Sequence, residues 1–182
     1  MSSSTRALSA LSLLRQLRIS LLLAAVTFAA CVPCGAVGSD SHSLTRDEVV
    51  AVDRAVRAFM QNVAHSVTRE GPLAWLKYFD ASPAFFMAVN GQMAFSNADA
   101  ARDGTRTFSQ TIRQIELKWG NDLRVDVLTD EFAIVAVSWS ETQVDNAGHS
   151  RATTGYFTAL AQYREGHWQF RNAHWSEPVS SN

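Results

Sequence analysis

Apolar residues recur along the first half of the chain with a helical period. Between residues 46 and 67 they fall every three or four positions, which indicates a helix with one face on a core; the stripe comprises Val49, Val52, Val56, Phe59 and Val63. Thr45 and Glu48 have the spacing of a capping box at the start of this segment. The pattern predicts a long first helix.

Shorter elements follow. The segment PLAWLKYF starts with a proline, which the first turn of a helix tolerates, and predicts a short second helix. Asn90-Gly91 between two apolar runs predicts a tight β-hairpin. A third helix is then predicted, with Ser96 or Asn97 as its N-cap and an apolar side made by Ala101, Thr105, Phe108 and Ile112.

The second half of the chain has a period of two. From Ile115 to Val127 the apolar residues are odd-numbered, which predicts one long antiparallel strand bent at Gly120. Three more strands follow, and the last is contained in GHWQFRNAHWSEP. Strict alternation in this strand predicts His174 inward, on one face with Trp168 and Phe170, and Trp175 outward.

This order of elements predicts an α+β fold. Three helices in the N-terminal half pack on the concave side of a curved antiparallel sheet, which takes up the rest of the chain. We expect residues 44–182 to form a single domain, preceded by a short tether over 37–43.

The first 36 residues have the pattern of an export signal. Three arginines precede the apolar run ISLLLAAVTFAA, which is too short to cross a bilayer of about 30 Å as a helix. Residues 1–36 are therefore expected to be removed. TFAAC allows two outcomes: ordinary signal cleavage, or a bacterial lipobox in which Cys31 carries a lipid anchor. The mature protein is thus expected to be secreted or periplasmic, or a membrane-anchored lipoprotein.

Charge and cysteine content exclude several classes of function. The 182-residue chain has a formal net charge of -1, without the basic excess of a nucleic-acid-binding protein. Both cysteines, Cys31 and Cys34, lie next to the leader rather than at the start of a helix in a βαβ unit, which argues against a redox pair. No disulfide or thiolate nucleophile is expected in the domain.

Several residues and motifs resemble the nuclear transport factor 2-like superfamily, which includes ketosteroid isomerase-like and SnoaL-like proteins. The similarity covers residues 44–177, and the matching positions are Trp75, Phe79, Asn90-Gly91, Gly155-Tyr156-Phe157-Thr158 and Gly166-x-Trp168-x-Phe170-x-x-x-His174-x-Ser176. The resemblance implies a cone-shaped domain with a pocket for small apolar molecules. It also implies a homodimer paired through the convex face of the sheet.

Two departures from family patterns bear on chemistry. The acidic general base of ketosteroid isomerases corresponds to Phe86 or Met87, neither of which accepts a proton. Many relatives carry a His-x-His pair near the end of the last strand, where this chain has Asn172 before His174. A single histidine makes a poor metal site, so neither a metal nor another cofactor is expected.

His174 and Glu141 are the two candidate ionisable groups. His174 is either a half-buried structural histidine bonded to a backbone carbonyl or Tyr hydroxyl, or a pocket residue suited to acid-base catalysis. Glu141 continues the apolar face of its strand, so it either reaches the pocket mouth or is a solvated charge at the strand end. Asp80 is expected to make a turn ahead of Pro83.

The remaining candidates are aromatic and amide side chains. The aromatic group could wall a ligand pocket or form ordinary core; it comprises Trp75, Phe79, Trp139, Tyr156 and Phe157. Asn90 and Asn172 are candidate polar contacts to a ligand. Trp175 is expected to be exposed or in a dimer interface.

Three functions are compatible with these features. The first is an extracytoplasmic domain that binds a small apolar or amphipathic molecule, with or without catalysis. The second is an isomerase- or cyclase-type enzyme in which His174 acts as acid or base while Asn90, Tyr156 or Asn172 orients the substrate. The third is a structural dimerisation domain.

Overall fold

A computed structural model describes residues 43–178. The predicted leader, Cys31 and the tether up to residue 42 lie outside the described residues. The elements in chain order are α1 (Arg46–Glu70), a 3-10 helix (Pro72–Lys77), β1 (Phe86–Val89), β2 (Gln92–Phe95), α2 (Ala98–Thr111), β3 (Ile112–Trp119), β4 (Arg124–Val127), β5 (Phe132–Asp145), β6 (Ser150–Arg164) and β7 (His167–Ser176).

Helix α1 begins as predicted and runs one turn further. The Thr45 side chain accepts the backbone N–H of Glu48, and the Glu48 carboxylate accepts the N–H of Thr45, which completes the capping box. The helix ends at Gly71, where a φ of 82° suits a residue without a side chain. The Gly71 N–H donates to the carbonyl of Val67. Helical hydrogen bonding thus continues to the glycine, beyond the last apolar residue of the stripe.

The seven strands form one open sheet in the order β2-β1-β7-β6-β5-β3, with β4 also paired to β5. Every pair is antiparallel except β1 with β7, which run parallel from Phe86 opposite Asn172 to Val89 opposite Trp175. The sheet predicted as antiparallel is thus antiparallel in five of its six strand pairs, and the one parallel pair makes it mixed. Because β1 and β7 are far apart in the chain, no hairpin turn requires them to run in opposite directions.

The long strand predicted around Gly120 consists of two shorter strands, β3 and β4. Both pair with β5, and the interruption lies opposite Ser138. The Gly120 N–H donates to the Ser138 carbonyl at 2.8 Å, while the Asp122 carboxylate accepts the Ser138 hydroxyl at 2.7 Å. The predicted bend is thus a break in the strand, stabilised by side-chain hydrogen bonds.

A β-bulge divides β7 at Arg171. Ala161 on β6 pairs with Phe170 while the adjacent Leu160 pairs with Asn172, so Arg171 is an extra residue in the ladder. An extra residue reverses the alternation of faces beyond it. Phe170 and Trp175 consequently point to the same buried face, and the predicted orientations of His174 and Trp175 are both wrong.

Helix α1 and the 3-10 helix cover one face of the sheet, called here the covered face. Val56, Met60 and Val63 of α1 are fully buried against it. The indole Nε1 of Trp119 donates to the Met60 carbonyl at 2.7 Å, which ties β3 to the helix. No helix within residues 43–178 is both long and apolar enough to span a bilayer.

Candidate functional site

A cavity of about 170 Å³ lies where α2 and the β1–β2 hairpin meet the covered face, and it is partly open to solvent. Eight of its ten lining side chains are apolar. The lining residues are Trp75, Phe79, Met87, Val89, Phe95, Thr105, Phe108, Glu141, Phe157 and Trp175. We call this cavity the α2 pocket.

Aromatic rings hold each other in place around the α2 pocket. Trp75 stacks on Phe79 with ring centroids 5.7 Å apart. Trp175 meets Trp75 edge-on at 5.7 Å and Phe157 edge-on at 5.2 Å. Offset and edge-to-face pairs of this kind stabilise aromatic clusters. These four rings come from the 3-10 helix, the residues just after it, β6 and β7, and they belong both to the hydrophobic core and to the pocket wall.

Of the described residues that line the pocket, Glu141 is the one with an ionisable side chain. It is only 8% exposed, and the Gln143 side-chain amide donates a hydrogen bond to its Oε1 atom. Burial raises the pKa of the Glu141 carboxyl above its ordinary value; the Gln143 hydrogen bond opposes this shift, and the negative charge of Glu177 adds to it. The carboxyl group is therefore held toward its neutral form inside an apolar site.

Thr105 supplies the second polar group of the pocket. It is 4% exposed and lies in the middle of α2. Within residues 43–178, its hydroxyl makes no hydrogen bond. Buried hydroxyls normally have a partner, so an unpaired one on a cavity wall is available to a ligand or to water.

Four of the predicted ligand-binding residues line the α2 pocket: Trp75, Phe79, Glu141 and Phe157. Of the two alternatives for Glu141, the structure therefore favours a pocket residue over a solvated charge at the strand end. Six lining residues were not among the predicted site residues: Met87, Val89, Phe95, Thr105, Phe108 and Trp175. Thr105 and Phe108 already belonged to the predicted apolar side of α2, and that signal could have placed them beside a pocket.

Trp139 is buried but lies outside the pocket wall. Its ring packs on Trp175 at a centroid distance of 4.4 Å, and its Nε1 atom has no partner in the described region. On the neighbouring strand, a Cβ atom at Gly155 would come within 2.7 Å of the Trp139 ring and 1.8 Å of the Ser176 carbonyl oxygen. The glycine thus gives the indole room against β6, which explains why Trp139 is core.

Asn90 serves the hairpin turn instead of the pocket. Its φ of 49° and that of Gly91, 80°, are both positive, as the predicted tight turn requires. The Asn90 backbone N–H donates to the Trp175 carbonyl at 2.9 Å, and its side-chain oxygen accepts the N–H of Glu177 at 2.7 Å. Asn90 therefore fastens the end of β7 to the hairpin.

His174, Asn172 and Tyr156 lie on the opposite surface of the sheet, called here the open face. His174 is exposed and pairs with Ala88 and Thr158 on the adjacent strands. A shallow groove there is lined by His174 and Asn172 with apolar neighbours that include Phe86, Leu128 and Ile134. The sheet separates these residues from the α2 pocket, so His174 has no access to a ligand bound in it.

Asp80 has the turn role expected of it. It is buried, and its carboxylate accepts the backbone N–H of Ser82 at 2.9 Å and the Ser82 hydroxyl at 2.6 Å. The Arg171 guanidinium lies 3.6 Å away. Across residues 43–178, no three His, Cys, Asp or Glu side chains converge in a way that could hold a metal ion.

Solved structures with this architecture were found, whereas no protein-family model and no curated protein sequence matches the chain. A nuclear transport factor 2-like superfamily protein from Salmonella enterica serovar Typhimurium aligns with a TM-score of 0.62 at 17% identity, over 74% of this chain and 96% of that one. A type 2 hexachlorocyclohexane dehydrochlorinase aligns with a TM-score of 0.57 at 11% identity, over 71% and 87%. A nuclear transport factor 2-like protein of unknown function from Shewanella oneidensis aligns with a TM-score of 0.51 at 16% identity, over 72% and 98%.

These similarities confirm the predicted nuclear transport factor 2-like fold. At such low identities they show the fold alone, and proteins with one fold serve many functions. The function of this chain therefore has to be argued from its own pocket.

Proposed function

We propose that this domain binds a small, largely apolar molecule in the α2 pocket. The observation that carries the proposal is a cavity of about 170 Å³ with aromatic walls and two buried polar groups, Glu141 and Thr105. Ligand sites generally combine apolar walls with a few placed polar groups. An apolar cavity of about 150 Å³ is large enough to bind benzene, so a compact molecule of about one ring suits this site.

We also propose that the protein is exported, on the basis of its N-terminal sequence. The arginine-then-apolar pattern of residues 1–36 supports export, and Cys31 is the proposed lipidation site if the chain is anchored. Mass spectrometry of the mature N-terminus distinguishes the two forms. An acylated Cys31 supports the lipoprotein, and an unmodified N-terminal residue other than Cys31 contradicts it.

A homodimer is proposed through the open face. Large apolar side chains are exposed there, among them Phe86 at 42% and Ile134 at 42%. Contiguous exposed apolar surface is typical of interaction sites. Sedimentation velocity on the wild type and on Ile134→Asp tests this: a dimer that dissociates in the variant supports it, and a monomeric wild type at micromolar concentration contradicts it.

Catalysis is a second candidate function, and Glu141 would be its proton-transfer group. A buried carboxyl with a raised pKa in a pocket is a common property of general acids and bases. His174 drops out of this role because it faces away from the pocket. Turnover of a bound compound that is abolished by Glu141→Gln, with binding retained, would support catalysis over binding alone.

Two adjacent substitutions on β1 test the binding proposal. Val89 lines the α2 pocket, while its neighbour Ala88 lines the groove on the open face. Benzene is titrated into ¹⁵N-labelled protein, and shifts of backbone amide signals are mapped. We expect the shifts at Thr105, Glu141 and Trp175, with binding lost in Val89→Phe and retained in Ala88→Phe. Shifts confined to the open face, or equal binding by both variants, would contradict the proposal.

A further inference from the structure

The polar atoms of the α2 pocket are arranged asymmetrically around the Glu141 carboxyl group. The Gln143 amide occupies Oε1, whereas Oε2 makes no hydrogen bond within residues 43–178. The Thr105 hydroxyl is likewise unpaired on the same wall. One carboxyl oxygen and one hydroxyl are thus available to a ligand at the edge of an apolar space.

Among residues 43–178, no positively charged side chain forms an ion pair with Glu141 from the elements packed around it. On β3 its cross-strand neighbour is Leu117, and the flanking Glu116 and Lys118 pair with each other. On β6 its neighbour is Thr153, and α2 presents Thr105 and Phe108 to the pocket.

The charged group near Glu141 is another carboxylate, that of Glu177. Arg151 lies 3.3 Å from Glu177, so this guanidinium is engaged by Glu177 and forms no ion pair with Glu141. Within the described residues Glu141 takes part in no salt bridge. An ionised Glu141 would therefore be an uncompensated charge in an apolar pocket, which is costly.

We infer that the α2 pocket selects uncharged molecules of about one ring that carry an acceptor oxygen, such as a cyclic ketone, and that protonated Glu141 donates the recognising hydrogen bond from Oε2. This inference rests on the proposed binding function. A neutral carboxyl has one O–H donor, and an ionised carboxylate has none. Carboxylate ligands are expected to be rejected because they would bring an uncompensated negative charge into an apolar space that lies near the Glu177 carboxylate.

Ionisation of Glu141 removes the proton from Oε2, so that this atom can no longer donate a hydrogen bond to the ligand. Above its pKa, Oε2 and a ketone oxygen are both acceptors, so the selective hydrogen bond is lost and the two oxygens repel. Recognition of the acceptor oxygen is thus expected at acidic pH and is expected to disappear as the pH rises. Glu177 raises the pH at which recognition is lost, because its negative charge favours the protonated form of Glu141.

Cyclohexanone and methylenecyclohexane test the inference because they have nearly the same shape and differ in the acceptor oxygen. Their dissociation constants are measured by amide-shift titration between pH 5 and pH 8. In the wild type we expect cyclohexanone to bind about 3- to 10-fold more tightly than the hydrocarbon at the acidic end, as one net hydrogen bond provides. At the basic end we expect this preference to be lost, with cyclohexanone binding no more tightly than the hydrocarbon.

Three variants separate the hydrogen bond from the shape of the pocket. Glu141→Gln keeps a donor that does not titrate, so its ketone preference should persist across the pH range. Glu141→Leu should lose the preference and still bind methylenecyclohexane. Glu177→Gln should move the loss of preference to lower pH.

The outcomes distinguish the two proposals. If both probes bind alike in the wild type at every pH, the inference about Glu141 is overturned while the binding function stands. If neither probe binds the wild type or Glu141→Leu, the proposed function fails and the inference fails with it.

Discussion

Strand β7 passes through two regions of the core that differ in how completely they are filled. Before the bulge, Phe170 is fully buried and packs on Phe59 at 4.8 Å, under helix α1. After the bulge, Trp175 faces the α2 pocket. The α1 end is closed by a long, well-capped helix, whereas the shorter α2 leaves a cavity. One strand thus serves stability at its start and the proposed binding site at its end.

The bulge at Arg171 joins these two regions, and deleting that residue should have the largest effect. Without it, residues 172–176 would turn over, which would expose Trp175 and bury His174. We expect loss of the cooperative unfolding transition, followed by near-ultraviolet circular dichroism. Arg171→Ala keeps the residue count and should remain folded, losing about 1–2 kcal/mol with its hydrogen bond to the Ala84 carbonyl. A deletion variant as stable as Arg171→Ala would contradict the role of the bulge.

Phe170→Ala tests how tightly the α1 end of the core is packed. Removing a buried phenylalanine from a filled core typically lowers the free energy of unfolding by about 3–5 kcal/mol. Phe86→Ala on the open face is the matched control and should cost less than about 1 kcal/mol in the monomer. Urea unfolding measures both, and similar losses would show that the α1 end is not the better packed region.

Glu141→Gln tests the α2 end of the core through the pH dependence of the free energy of unfolding. Because burial raises the folded-state pKa of Glu141, wild-type stability from this group is full below its ordinary pKa and is lost as the pH rises through the raised value. The variant lacks this loss, so its free energy of unfolding should increase relative to the wild type from pH 4 to pH 8. A constant difference across that range would mean that Glu141 is not desolvated in the folded protein.

Thr105→Val should have the smallest effect. In a filled core, loss of a bonded hydroxyl is destabilising, but the Thr105 hydroxyl makes no hydrogen bond within residues 43–178, and Thr105 lines the cavity. We expect the free energy of unfolding to change by no more than about 0.5 kcal/mol, or to rise slightly. A loss of more than about 1.5 kcal/mol in thermal unfolding would reveal a partner for this hydroxyl and a different pocket.

Local signals in the sequence predicted most of the elements of the fold. Capping chemistry at Thr45, the Asn90-Gly91 turn and the two periodicities act over a few residues, so they can be seen in the chain itself. The split between β3 and β4 was seen only as a bend, because it depends on Ser138 reaching Asp122 across the sheet. The parallel β1–β7 pair is likewise a long-range contact without a local pattern.

The site was predicted less completely because one residue changed the phase of β7. Alternation assigns a face correctly only while the ladder is regular, and no feature of FRNAHWS marks Arg171 as the extra residue. His174 and Asn172 were therefore predicted on the pocket side and lie on the open face, whereas Trp175 was predicted outward and lies on the covered face. For Glu141 the sequence left the pocket mouth and a solvated strand end both open. It did put Glu141 on one face with Ala133, Val135 and Val137, and this parity carries through because β5 is continuous from Phe132 to Asp145.

Xenon binding in a crystal tests the central claim, that the α2 end of the core is an apolar cavity and the α1 end is not. Xenon occupies dry apolar cavities of about this size. Under pressure we expect a xenon atom among Phe79, Phe157 and Trp175, and none between α1 and the sheet. Side chains closed over an empty α2 pocket, or xenon only beneath α1, would contradict the account.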